Sequence, residues 1–149
     1  MNVQHNAHLF GLSTLCGIKV FRKSKPYMTT CSNYMIGAFY GVINRPLKLT
    51  ITYDNKEDVE RTILYFKKDN KMIRYNKIGF KTKYYCSVGG LGTLNERMHD
   101  IIKATDYLVD TYPEYGSRRV RKNGIHEFVL KKIIPPPQPI VMILRKCNY

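Results

Sequence analysis

The chain has no tryptophan, no Cys-x-x-Cys pair and few acids. Only 11 Asp and Glu stand against 25 Lys and Arg, so the formal net charge is +14 over 149 residues. A surplus of that size repels itself unless a polyanion balances it, which points to nucleic acid or an anionic surface as partner. The shortage of acid is uneven. Residues 1–53 contain six Lys and Arg and no acidic residue at all. Acid-poor leaders mark mitochondrial transit peptides, but this stretch runs past the length of a presequence.

Other absences exclude whole classes. No apolar run approaches the roughly 18 residues of a membrane span. The cysteines Cys16, Cys31, Cys86 and Cys147 lie singly, and His5, His8, His99 and His126 do not supply the close ligand pairs that structural zinc needs. No metal and no cofactor is expected. No secretory signal peptide opens the chain, so reduced thiols are expected rather than a disulfide framework. Catalytic motifs are missing too. His99-Asp100 and His126-Glu127 are sequence neighbours, which point apart on a helix, and there is no Gly-x-Ser-x-Gly elbow. The expectation is a protein that is not an enzyme and has no small-molecule substrate.

What is present suits a globular chain. Apolar residues make up 44%, enough for one domain or two very small ones. Twelve Tyr and six Phe offer ring surface for packing or for base stacking.

Periodicity suggests an order of elements. Leu12, Leu15, Cys16 and Val20 sit at helical spacing within residues 6–21. Arg22, Lys23 and Lys25 form a basic break before Pro26, and residues 30–43 read as a short apolar helix. Leu47, Leu49, Ile51 and Tyr53 alternate with polar residues, as in a half-buried strand. Residues 59–66 and the run Met72, Ile73, Tyr75, Ile78 read as two more strands, joined antiparallel by polar turns. Residues 61–83 carry eight Lys and Arg and one Asp, a basic edge that includes Lys81 and Lys83. The segment Cys86-Ser-Val-Gly-Gly-Leu-Gly lacks the spacing of a phosphate-binding loop and leads instead into a helix. Thr93 and Glu96 make a capping box ahead of the stripe Leu94, Met98, Ile101, Ile102 and Leu108. Residues 116–126 hold four cations, Arg118, Arg119, Arg121 and Lys122, with Asn123 and no acid. Forked guanidiniums between glycines suit phosphate contact. Residues 126–134 read as a short helix, the run Pro135-Pro136-Pro137 as a stiff connector, and 140–144 as a last strand.

Several local strings resemble the universal small-subunit ribosomal protein S-eight family. Lys25-Pro-Tyr-Met-Thr-Thr-Cys resembles its lead-in to a second helix, and the stretch from Ile63 to Ile78 its strand pair. Lys81-Thr-Lys-Tyr-Tyr-Cys-Ser-Val resembles the stretch after its glycine turn, and Arg121-Lys-Asn-Gly-Ile-His-Glu-Phe-Val-Leu its C-terminal loop. The family's Ser-Thr-Ser is here Arg119-Val120-Arg121, and its Gly-Gly is here part of a proline run, so the hydroxyl contacts to RNA do not carry over. The resemblance implies an α+β fold of two small α/β subdomains, 1–80 and 81–149. The first would place two helices on a short antiparallel sheet. The second would hold strands, a helix and the basic RNA-contacting loop. It implies a structural constituent of a small ribosomal subunit, mitochondrial in type, that binds ribosomal RNA and neighbouring ribosomal proteins. The RNA contacts would come from Arg118, Arg119, Arg121, Lys122 and Asn123, then Lys81 and Lys83, then Arg22, Lys23 and Lys25. Two other classes fit the charge: a DNA-binding protein of viral or plasmid origin, and a basic accessory subunit of a membrane-associated complex.

Overall fold

Two helices and two small sheets make an α+β fold in the computed structural model, which describes residues 7–14, 27–45, 49–80 and 93–134. The first sheet has four strands: β1 (Leu9–Thr14), β2 (Met28–Thr29), β3 (Tyr40–Val42) and β4 (Ile73–Phe80). Their order is β2-β4-β1-β3, with β1 parallel to β4 and the other two pairings antiparallel. The second sheet is the hairpin β5 (Gly116–Val120) and β6 (His126–Leu130). The helices are α1 (Glu57–Asp69) and α2 (Leu94–Thr111).

The helix read over residues 6–21 is a strand where it is described. Gly11 lies in the middle of β1, where an added Cβ would meet the Met35 sulfur at 2.7 Å. A close approach of that kind asks for glycine in a strand, and β1 is flanked by β4 and β3 on its two sides. Residues 30–43 are not a helix either. Their backbone is held by side chains of α1 instead: Met35 N–H donates to Thr62 Oγ1 at 3.2 Å, and Gly37 N–H to Asp58 at 3.3 Å. Cys31, Met35 and Ile36 are buried in this irregular segment, so its apolar residues serve the core without a helical period.

The strand expected at 59–66 is the centre of α1. Val59, Thr62, Ile63 and Phe66 are its buried residues, along with Glu60, and their spacing of three and four is helical. The polar run before it is a helix start rather than a hairpin turn. Acids Glu57, Asp58 and Glu60 occupy the first turn and Lys67 and Lys68 the last, the polarity the helix dipole favours. Residues 49–53 are not a strand; the Thr52 N–H donates to the buried Glu60 carboxylate at 2.7 Å instead of to a neighbouring strand.

β4 matches the expected third strand, but its partners are β1 and β2 rather than a preceding hairpin strand. The capping box also stands as read. Glu96 N–H donates to Thr93 Oγ1 at 3.4 Å, and Thr93 N–H donates to Glu96 Oε2 at 2.7 Å. Residues 126–134 are not a helix: 126–130 form β6. The segments 81–92 and 135–149, with the glycine loop, the proline run and the last strand, lie outside the described residues.

α1 joins two buried clusters. Val59 and Ile63 pack with Leu108, Tyr112 and Phe128, from α2 and the hairpin. Phe66 packs with Leu9, Met35 and Met72 under the four-stranded sheet. Tyr115, just before β5, touches both. Each fully buried apolar side chain of this size contributes roughly 1.5–3 kcal/mol, and in the hairpin Ile125 and Phe128 are buried.

Candidate nucleic-acid interface

The basic segment 116–126 is not a loop but a strand and a turn. Arg121 N–H donates to the Ile125 carbonyl at 2.9 Å and Gly124 N–H to the Arg121 carbonyl at 2.9 Å. Gly124 takes φ 79°, the left-handed conformation that closes a three-residue hairpin loop. Lys122 and Asn123 are therefore exposed at its tip, with Asn123 Oδ1 receiving the Ile125 N–H at 3.4 Å.

The three arginines come from the β5 side of this hairpin, and carboxylates hold all three. Arg118 pairs with Asp106 of α2. Arg119 donates through Nε at 3.1 Å and Nη2 at 2.7 Å to Glu127 Oε2. Arg121 pairs with Glu127 Oε1. The Arg119 and Arg121 side chains nevertheless stay 62% and 53% exposed, while Glu127 is 15% exposed. Burial alone would raise the Glu127 carboxyl. The hydrogen bonds and charges of Arg121 and Arg119 outweigh that and hold it below the ordinary carboxylate value.

Sequence alone did not single out Glu127, Asp106, Lys56 or Arg97. Lys56 precedes α1 in a left-handed conformation, φ 66°, without a side-chain cap. Burial pushes its ammonium down; Glu127 and Asp58 act in the opposite direction, and Arg121 and Arg97 push it down again. Lys56, just before α1, therefore feels the charges of Asp58, of Arg97 in the first turn of α2, and of Arg121 and Glu127 on the hairpin. Arg97 donates through Nε at 3.1 Å and Nη2 at 2.5 Å to Asn55 Oδ1. The missed signal was the Asn-Gly turn: with Lys122-Asn123-Gly124 as loop, Arg119 and Glu127 become direct cross-strand partners.

Of the ten residues expected to touch RNA, the structure brings together Arg118, Arg119, Arg121, Lys122 and Asn123 on the hairpin. Arg22, Lys23, Lys25, Lys81 and Lys83 lie outside the described residues. Among the described residues no group of His, Cys, Asp and Glu could hold a metal ion, and no helix is long and apolar enough to cross a membrane. No family model matches the chain, and neither the curated proteins nor the solved structures give a match.

Proposed function

We propose that this protein binds RNA through the β5–β6 hairpin. The observation that supports the reading best is the clustering of Arg118, Arg119, Arg121, Lys122 and Asn123 on one short hairpin, with the Arg119 and Arg121 side chains more than half exposed. A net charge of +14 supplies the long-range attraction. Phosphate contacts made by Lys and Arg release counterions, so affinity should fall steeply with salt. Folded RNA is read largely by shape and backbone, which guanidinium forks on a rigid hairpin suit.

Within this reading the partner is the RNA of a small ribosomal subunit, mitochondrial in type, and the chain is a structural constituent seated beside other ribosomal proteins. That narrower proposal rests on the sequence resemblance, as does the division into subdomains 1–80 and 81–149. Lys81, Lys83, Arg22, Lys23 and Lys25 would extend the RNA contact.

Replacing Arg118, Arg119 and Arg121 together by Ala should weaken RNA binding and flatten the logarithmic salt slope by about two to three units. Unchanged binding would remove the hairpin from the interface, and preference for duplex DNA in competition would favour the DNA-binding alternative. Co-migration with a small ribosomal subunit on a sucrose gradient, lost after RNase, would support the ribosomal proposal; migration as free protein would end it.

A further inference from the structure

We propose that Glu127 sets the selectivity of the basic hairpin by standing where a phosphate would stand between Arg119 and Arg121. The inference rests on the RNA-binding reading above and adds a mechanism to it.

Three observations carry it. Both Glu127 oxygens are engaged, Oε2 by the Nε and Nη2 edge of Arg119 and Oε1 by Arg121. Guanidinium N–H groups donate to phosphate oxygens as they do to carboxylate oxygens. The exposure is lopsided: at 15% the carboxylate lies beneath two arginines that are 62% and 53% exposed. An incoming anion therefore meets the guanidiniums first. Finally, the Glu127 charge acts on a third cation, raising the Lys56 ammonium against the larger downward effect of its burial.

An isolated phosphate that approaches this site must compete with a carboxylate already tethered there. It exchanges one charge-assisted pair for another and gains little. A folded strand presents many phosphates at once and gains from the release of its counterions. Glu127 therefore disfavours ligands of lower phosphate density, single strands among them, more than it disfavours a duplex, a repulsive element of specificity. Neutralising it should help the weaker ligand most.

The test compares the full chain with its Glu127→Gln variant, using a short RNA duplex and an oligouridylate of equal length as probes. The expected result is an oligouridylate affinity raised about tenfold and a duplex affinity raised about threefold or less, with the salt slope steeper by about one unit. The preference for duplex thus falls. Glu127→Asp keeps the charge but is one methylene shorter, and should give a smaller rise with oligouridylate. A purely structural role would weaken both probes equally and lower the melting temperature; that result, or unchanged affinities, overturns the proposal. If E127Q does not fold, absence of any oligouridylate gain in folded E127D overturns it. Wild-type protein that binds neither RNA would instead overturn the RNA-binding reading itself.

Discussion

Ser32 and Ile133 bond reciprocally across 101 residues of sequence: the Ser32 N–H donates to the Ile133 carbonyl at 3.0 Å, and the Ile133 N–H donates to Ser32 Oγ at 2.6 Å. The same hydroxyl donates to the Lys131 carbonyl at 2.7 Å. Ser32 is buried, so its removal leaves backbone groups without their partner. Ser32→Ala should cost about 1–3 kcal/mol. In a protein of this size that lowers the melting temperature by roughly 2–4 °C per kcal/mol. Calorimetry checks it; an unchanged melting temperature would mean this link does not tie the two segments together.

Glu60 is a buried carboxylate that gathers a ring of donors: Thr52 N–H at 2.7 Å, Tyr107 OH at 3.1 Å and Tyr112 OH at 3.4 Å. Burial raises the Tyr112 phenol well above its ordinary value, and its bond with Tyr107 and the Glu60 charge add to the rise. The folded state thus holds this proton more tightly than the unfolded chain does. Its contribution is fully present below about pH 10 and is lost as pH rises toward the folded value. Tyr112→Phe should therefore flatten the alkaline fall in stability. Urea denaturation at pH 8 and pH 11 measures the difference; an identical alkaline loss in both proteins would disprove the assignment.

Thr93 and Glu96 close the start of α2 from both sides, and Thr93 N–H and Oγ1 together hold the Glu96 carboxyl below its ordinary value. Thr93→Ala should destabilise the protein by about 1 kcal/mol. Circular dichroism during thermal melting follows it. Thr93→Ser should retain most of the cap, because the hydroxyl and not the methyl makes the bond.

Gly124 has φ 79° and open space where a Cβ would be, so substitution there is limited by backbone strain and not by a clash. Gly124→Ala should cost roughly 1–2 kcal/mol, and Gly124→Asn less, since Asn visits the left-handed region more readily. Because the turn holds Arg119, Arg121 and Lys122 together on one hairpin, the alanine variant should also weaken RNA binding while the asparagine variant keeps it. Equal binding by both would show that the arginines do not depend on the turn.

Composition and short-range chemistry were legible from residues alone. The +14 charge, the Thr93–Glu96 box with its helix stripe, the strand around Ile73 and Tyr75, and the arginine cluster all depend on neighbours within a few positions. The choice between helix and strand for short apolar runs was not legible, because both periods fit them. Tertiary contacts decided those cases: Gly11 accommodates Met35 only in β1, and the burial of Val59, Ile63 and Phe66 requires the helical face of α1. The site divides in the same way. Sequence determined that guanidiniums would cluster at 118–121; only the folded hairpin decided that Glu127 lies beneath two of them, because cross-strand register is a relationship between residues distant in sequence.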